Sequence, residues 1–228
     1  MNGGFTVVER YKLEEIALIV ASLTTPNISN FSEIGQPLIT AENLKWLAFD
    51  GDIRLLPKLH VAVNGYIKCA KVPAKTIILT KNSTESVNTY IFQCEQDVYI
   101  ANDVVAIIPN ESIVLSDYLH LFLKWLQPKD DWRQWHHILL DIPPIEMQTN
   151  IVKLLKTSQL LLKNKTSLLA VVEELPQHFR HISKQTERHT RQLNHGFDQL
   201  QTFYNYTLHK IFTGELFHVY NKFFERNP

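Results

Sequence analysis

The chain has 228 residues, 45% of them hydrophobic, and its 23 Lys and Arg residues balance 23 Asp and Glu residues, so the formal net charge is zero. This length and apolar content suffice for one large domain or two small ones and exclude an intrinsically disordered protein. Two cysteines, Cys69 and Cys94, cannot build a disulfide scaffold or a Cys-x-x-Cys zinc site. Residues 1–10 lack the layout of a signal peptide, and no apolar stretch approaches the roughly 18 residues that span a bilayer, so we expect a cytoplasmic protein.

The zero net charge is the sum of two parts with opposite charge. Residues 1–144 hold 12 basic and 16 acidic side chains, a net charge of −4, whereas residues 145–228 hold 11 basic and 7 acidic side chains, a net charge of +4. The boundary follows Pro143 and Pro144, which fix φ, remove two backbone donors and allow a helix to begin directly afterwards. The sequence therefore predicts a domain at residues 1–144, a helical region at 145–216 and a C-terminal tail at 217–228.

The first part combines short strands with helices. Apolar residues at helical spacing predict a helix at residues 11–21 and a second helix at 115–126. Apolar and β-branched runs predict strands at residues 75–80, 90–94, 98–100 and 104–109, with turns at 50–52 and 64–65, the latter in a hairpin. This mixture predicts an α+β domain.

After residue 144 the pattern changes to two helices of roughly 30 residues each. Apolar residues spaced mostly three, four or seven apart form a coiled-coil seam suited to a partner helix, and they are Ile151, Leu155, Leu162, Leu169, Val172, Leu193, Phe197, Leu200, Tyr204 and Leu208. Neither helix has enough apolar surface to fold alone, so we expect them to pack on each other, on another copy of the chain or on another protein. The sequence leaves open whether Pro176 kinks one helix or separates two helices of a hairpin.

Several short runs occur in an order that resembles a known family. In chain order they are residues 11–17 (YKLEEIA) with 24–26 (TTP), 37–44 (PLITAENL), the strands and the helix predicted between 75 and 125, 139–148 (LLDIPPIEMQ) and 208–216 (LHKIFTGEL). The chain resembles the specificity subunit of type I restriction–modification systems, in a half-length form with a single target-recognition domain. The most specific run is 139–148, which is similar to the family's apolar–Pro-Pro–apolar–Glu-x-Gln entry into its conserved helix.

The resemblance implies a non-catalytic protein that recognises double-stranded DNA. Full-length members have two recognition domains and two helices, so a chain with one recognition domain is expected to form a homodimer or to pair with a second half-subunit. The domain would select a DNA sequence, while the helices would set the spacing of two half-sites and dock methyltransferase subunits, with restriction subunits left open as further partners. No cofactor is implied.

Three polar segments are the candidates for contact with DNA, because amides, Lys and Arg can form paired hydrogen bonds with base edges. They are residues 80–89 (TKNSTESVNT), 132–137 (WRQWHH) and 22–30, and the first is longer than a hairpin requires. The candidate contact residues are Lys81, Asn82, Ser83, Thr84, Asn88, Arg133, Gln134, Thr25 and Asn27. Ordinary solvated loops explain segments 80–89 and 22–30 equally simply, and a short helix with buried tryptophans explains 132–137.

The charge of the recognition domain bears on its affinity for DNA. Neutralisation of phosphates by Lys and Arg is the main source of that affinity, and residues 1–144 carry an acidic excess. We therefore expect the chain alone to bind DNA weakly and to depend on partner subunits for electrostatic attraction.

Other functions find less support in the sequence. The chain has no Gly-rich loop for S-adenosylmethionine and no Walker loop for ATP. Arg188 and His195 match the spacing of all-helical HEPN ribonucleases, a remote alternative that leaves the strands of the first part unexplained. His178 and His181 have no Cys or carboxylate that would complete a zinc site, so we expect no metal. The nearer alternative is a truncated or regulatory module of the same fold that binds the methyltransferase subunit without reading DNA.

Overall fold

The computed structural model describes residues 8–24, 31–32, 34–49, 51–59, 69–81, 89–128, 131–173 and 183–213. In the second half, side chains are described for residues 145–160, 162 and 195–213. The chain forms two compact units, Met1–Thr149 (unit 1) and Asn150–Pro228 (unit 2).

Unit 1 combines short strands with short helices. The strands are β1 Glu9–Lys12, β2 Ala17–Ala21, β3 Phe31–Ser32, β4 Gln36–Ile39, β5 Lys58–Leu59, β6 Ala70–Val72, β7 Ile77–Thr80, β8 Ile91–Gln93, β9 Val98–Ile100, β10 Val104–Pro109 and β11 Leu139–Ile142. The helices are α1 Leu13–Ile16, α2 Ala41–Ala48 and α3 Ser116–Leu126, with 3-10 helices at Ile53–Leu55 and Trp132–His137. The predicted mixture of helices and strands is confirmed.

The strands described form three sheets, with neighbours in the orders β1-β11, β2-β10-β7-β8 and β3-β5-β4-β9-β6. Strand β4 pairs with β9 in parallel, and the other pairs are antiparallel. The centre of the four-stranded sheet is covered on both faces, because consecutive residues Ile77, Ile78 and Leu79 are all fully buried. Ile78 of β7 shares a core cluster with Leu44 of α2.

Most of the predicted elements of the first part are confirmed. The predicted strands correspond to β7, β8, β9 and β10, and the helix predicted at 115–126 is α3. The hairpin predicted at residues 64–65 lies outside the described residues. Helix α2 follows β4, and its start is fixed by Thr40, whose hydroxyl accepts a hydrogen bond from the Asn43 N–H (3.3 Å) while the Asn43 side chain accepts one from the Thr40 N–H (2.9 Å).

The helix predicted at residues 11–21 is wrong. Only Leu13–Ile16 are helical, and Ala17–Ala21 form β2, which pairs with β10 along its whole length. Ile19 faces Ile107 in this ladder, and the β-branched Ile19 and Val20 suit a strand better than a helix. Tertiary pairing therefore decided the conformation of a segment whose apolar spacing also fits a helix.

Unit 2 contains the two predicted long helices, which are α4 Ile145–Glu173, beginning at the end of unit 1, and α5 Ser183–Phe212. The Gln159 side-chain amide donates a hydrogen bond to the Tyr204 hydroxyl, 45 residues further along the chain. One continuous helix would place these residues about 67 Å apart, at roughly 1.5 Å per residue. The chain therefore reverses direction between α4 and α5, and Pro176 lies in the part between them that is not described. None of the described helices combines the length and the apolar composition that a membrane span requires.

The first turn of α4 belongs to unit 1, and Gln148 holds it there. The Gln148 side chain is fully buried; its Nε2 donates to the carbonyl oxygens of Pro143 (2.8 Å) and Ile113 (2.9 Å), and its Oε1 accepts from the Leu115 N–H (2.8 Å). Both amide protons and the carbonyl oxygen are thus used. One side chain therefore joins the start of α4 to the loop that precedes α3.

We expect Gln148→Ala to lower the free energy of unfolding of unit 1 by about 2–4 kcal/mol, because three buried backbone groups lose their partner. Tryptophan fluorescence in a urea titration reports this unit alone, since the four tryptophans are Trp46, Trp125, Trp132 and Trp135. Asn150→Ala, which removes an exposed amide two residues further on, is the control and should change stability by less than about 0.5 kcal/mol. Equal stability of the two variants would contradict the role of Gln148.

Candidate nucleic-acid interface

Three strand ends meet at one edge of the four-stranded sheet. Strand β10 pairs with both β2 and β7, so that Val105 lies opposite Ala21 and Val104 lies opposite Thr80. Antiparallel pairing thus brings the carboxyl ends of β2 and β7 beside the amino end of β10. The polar segments 22–30 and 80–89 begin at these two carboxyl ends.

Lys81, the first residue after β7, connects this edge of the sheet. Its ammonium donates hydrogen bonds to the carbonyl oxygens of Asn102 and Ser22 (3.4 Å for Ser22), and its backbone N–H donates to the Asp103 carbonyl oxygen (3.1 Å). The ammonium also lies 5.3 Å from the centre of the Trp132 ring. Burial lowers the pKa of Lys81; Asp103 opposes this effect and Arg133 adds to it.

Segment 132–137 forms a 3-10 helix that Asp131 caps. The Asp131 carboxylate accepts a hydrogen bond from the Arg133 N–H (3.0 Å) and forms an ion pair with Arg133 Nη1 (3.0 Å). The Arg133 guanidinium lies 5.7 Å from the Trp132 ring centre, and its side chain is 72% exposed. The Trp132 ring therefore has two cations close to it, one half-buried and one largely in solvent.

The two tryptophans of this segment have different environments. Trp135 is only 1% exposed and belongs to the core, whereas Trp132 is half-buried beside Lys81 and Arg133. Gln134, between them, is exposed. The interpretation as a short helix with buried tryptophans therefore holds for the helix and for Trp135 but not for Trp132. Arg133 and Gln134 form an exposed polar surface on this helix.

All three polar segments singled out from the sequence therefore have residues close to Lys81. Of the candidate contact residues, Lys81, Arg133 and Gln134 are described, and those outside the described residues are Asn82, Ser83, Thr84, Asn88, Thr25 and Asn27. The Thr89 hydroxyl, at the end of segment 80–89, donates a hydrogen bond to the Pro128 carbonyl oxygen (2.8 Å), close in sequence to Asp131. At the start of segment 22–30, the Ser22 hydroxyl donates to the Thr24 carbonyl oxygen (2.9 Å).

Several basic side chains elsewhere in unit 1 pair with acidic ones. The pairs are Arg10 with Asp141, Lys12 with Glu14, Arg54 with Asp52, Lys71 with Asp97, and Lys75 with Glu111. Such neighbours partly cancel the positive potential that a phosphate would meet. The positive potential around these side chains is correspondingly limited.

The predicted seam residues of unit 2 differ in exposure. Ile151, Leu155 and Tyr204 are buried within the chain, and Leu162, Phe197, Leu200 and Leu208 are half-buried. The side chains of Leu169, Val172 and Leu193 lie outside the described residues. The exposed apolar surface of the helices comes instead from other residues, namely Leu154, Leu160, Phe203 and Tyr206.

His195, the histidine of the remote ribonuclease alternative, is exposed on α5, with its Nε2 3.2 Å from the Gln199 side-chain nitrogen. The Arg188 side chain lies outside the described residues. In the part of the chain that the structure describes, no three His, Cys, Asp or Glu residues cluster as metal ligands would.

Sequence reasoning missed several residues of this surface. The carbonyl groups of Ser22 and Asn102 carry no sequence signal, because any residue could supply them. Trp132 lies in a candidate segment but is not among the candidate contact residues, and its position beside two cations depends on tertiary packing. Asp131 alone had a readable signal, since Asp directly before a helical turn is typical of an N-cap.

Comparison with known proteins tests the resemblance. No protein-family model matches the chain, and no curated protein matches it. The solved HsdS subunit from Thermoanaerobacter tengcongensis matches with a TM-score of 0.52 and 16% identity, over 94% of this chain and 47% of that chain. The chain has the fold of an HsdS subunit. The resemblance to type I specificity subunits seen in the sequence is thereby confirmed for the fold.

Two further solved structures are similar. One, from work on complex assembly and conformational transition of the type I R-M system, has 14% identity and a TM-score of 0.49, over 92% of this chain and 48% of that chain. The other is the type I restriction–modification S subunit from M. genitalium, with 10% identity and a TM-score of 0.44, over 82% of this chain and 49% of that chain. The chain spans about half the length of each of the three solved chains that it matches.

The different environments of the two tryptophans predict different stability losses. We expect Trp135→Ala to cost about 3–5 kcal/mol, because it empties a fully buried site. Trp132→Ala should cost only about 1–2 kcal/mol, since a half-buried ring loses partial apolar burial and two cation contacts. Urea unfolding monitored by fluorescence of the remaining tryptophans measures both values. A loss for Trp132→Ala as large as that for Trp135→Ala would show that Trp132 is a core residue instead.

Proposed function

We propose that the chain is the DNA-recognition subunit of a type I restriction–modification system, with unit 1 as the target-recognition domain and unit 2 as the spacer. The proposal rests on one observation above all: three separate polar segments have residues at one site around Lys81 and Trp132, in a domain with the HsdS fold. The protein selects a sequence and leaves the chemistry to other subunits.

Arg133 is the proposed reader of this site. Its guanidinium is largely exposed yet restrained by Asp131 and Trp132, so less side-chain entropy is lost on binding than for a free arginine. A restrained guanidinium can form two parallel hydrogen bonds with guanine or with a phosphate. The exposed amide of Gln134 can pair in the same way with adenine. Asn82, Ser83, Thr84, Asn88, Thr25 and Asn27 complete the proposed contact set.

We propose that recognition domains of this kind act in pairs. This chain spans about half the length of the HsdS subunit that it matches, and two copies, or a copy and a second half-subunit, would supply two recognition domains. The exposed Phe203 and Tyr206 on α5 offer a surface for a partner, since aromatic side chains are enriched at protein interfaces. Tyr206 lies 5.5 Å below the Lys210 ammonium, which adds a charged rim. Two recognition domains joined in this way read two half-sites at a fixed distance.

Affinity for DNA depends on the assembled complex. Unit 1 has an acidic excess, and its described arginines and lysines are largely paired with carboxylates. Because counterion release supplies most of the affinity for DNA, the chain alone binds weakly. Methyltransferase subunits docked on the helices add the missing phosphate contacts.

The proposal predicts a new methylation pattern in DNA when the chain is expressed with a type I methyltransferase subunit. Sequencing that detects methylated adenine should show one bipartite motif, with two identical half-sites if the chain forms a homodimer. The double variant Arg133→Ala, Gln134→Ala should lose the motif or change it, because each lost bidentate contact removes about 1–3 kcal/mol of discrimination.

Arg54→Ala is a matched control for this experiment. Arg54 follows Asp52 at the start of a 3-10 helix and pairs with it just as Arg133 pairs with Asp131, but among the described residues no tryptophan ring lies beside it. This variant should leave the motif unchanged. An unchanged motif in the double variant would remove the reading role from Arg133 and Gln134. Binding of the methyltransferase subunit without any methylated motif would instead favour the regulatory module.

A further inference from the structure

The contacts of Lys81 fit a residue that organises the proposed DNA surface better than one that touches DNA. A lysine ammonium has three N–H donors. Two of them donate to the carbonyl oxygens of Asn102 and Ser22, and the ammonium lies over the Trp132 ring. Contact with a phosphate or a base would require Lys81 to leave these partners.

Lys81 and its three partners lie on four different segments of unit 1. Lys81 follows β7, Ser22 follows β2, Asn102 precedes β10, and Trp132 begins the 3-10 helix. Segments 22–30 and 80–89 both start within a residue of this contact. The position of one ammonium therefore fixes the starting point of two polar segments and the plane of the tryptophan that restrains Arg133.

The network extends beyond these partners. The Ser22 hydroxyl also accepts a hydrogen bond from the Ala70 N–H (3.4 Å), and the Asp103 carboxylate accepts one from the Ala41 N–H (3.0 Å) at the start of α2. Lys81 thus connects loops that are themselves attached to the sheets and to α2. A shift of its side chain would act directly on the loops that contain Ser22 and Asn102 and on Trp132.

Arg133 has the opposite character. Its side chain is 72% exposed, and one guanidinium nitrogen, Nη1, is paired with Asp131. Within the described part of the chain, no hydrogen bond from its Nε or Nη2 to a protein acceptor is found, so these donors are available to a ligand.

We propose that Lys81 is a positioning residue that sets sequence specificity through Trp132 and the starts of segments 22–30 and 80–89, while Arg133 contacts the DNA. This inference rests on the proposed DNA-recognition function. Lys81 and Arg133 thus have different roles, although a count of basic residues would treat them as equal.

The test compares variants in the full chain, assembled with the methyltransferase subunit. Lys81→Met keeps the apolar stem and removes the three donors, and Lys81→Arg is the conservative variant that can keep the carbonyl and ring contacts. Lys58→Met, at a half-buried lysine on β5, is the matched control. Fluorescence anisotropy then measures binding to a duplex with the methylated motif and to a scrambled duplex, at several salt concentrations.

For Lys81→Met we expect the preference for the motif over the scrambled duplex to fall roughly tenfold, while the dependence of affinity on salt is unchanged. Arg133→Ala should lower the preference for the motif, because a direct base contact is lost, and should also reduce the salt slope by about one, because a cation at the DNA surface is lost. Lys81→Arg should recover most of the preference, and Lys58→Met should match wild type. A Lys81→Met complex that keeps the preference, or whose salt slope falls by about one, would overturn the proposal.

A second measurement needs no DNA. In Lys81→Met, hydrogen exchange of the backbone amide at position 81 and the emission of Trp132 should both change, because the ammonium no longer holds the surrounding segments. The urea midpoint of unit 1 shows whether the variant is folded. Unchanged exchange and emission would overturn the positioning role. A wild-type complex that discriminates no sequence would instead refute the proposed function, and the specificity role of Lys81 would fall with it. The exchange measurement would still show separately whether Lys81 holds these segments in place.

Discussion

The antiparallel pairing of β10 with β2 and β7 is the constraint on which the candidate site depends. This register places Ser22, Lys81 and Asp103 next to one another, although they are up to 81 positions apart in the chain. Side chains alternate between the two faces of a strand, so a slip of one residue would exchange the faces of the buried residues of β7 and β10 and disrupt their close packing on both sides. The fully buried Ile77, Ile78 and Leu79 oppose such a slip, because both faces of the sheet are covered. The hydrophobic core thus fixes the position of polar residues at the sheet edge.

A second junction joins the end of unit 1 to its helix. Pro143 and Pro144 have no N–H, so the chain enters α4 without two donors that would need partners. Gln148 then uses its whole amide to bind the backbone of residues 113, 115 and 143. The two prolines and the glutamine of segment 139–148 therefore act together. The prolines permit α4 to start, and Gln148 holds its first turn against the loop that precedes α3.

Most described ion pairs of unit 1 are on the surface, where each contributes little to stability. A lysine or arginine beside a carboxylate also attracts an anion less strongly than an isolated one. The site at Trp132 follows the same rule: Arg133 is paired with Asp131, which weakens its charge and restrains its geometry. Under the proposed function, such an arrangement would favour discrimination between sequences over strong binding to any sequence.

The sequence by itself determined the elements with strong local patterns. The β-branched runs gave β7, β9 and β10, the spacing of Leu119, Phe122 and Leu123 gave α3, and the long apolar periodicity after Pro144 gave α4 and α5. The order of short runs also indicated the fold. Tertiary structure alone decided that residues 17–21 form a strand, since β10 offered a pairing partner, and that the chain reverses between the long helices. It also decided that the side chains of Lys81 and Arg133 lie beside the Trp132 ring. Contacts of this kind depend on strand register and on loops that are far apart in the chain, and local periodicity carries no information about them.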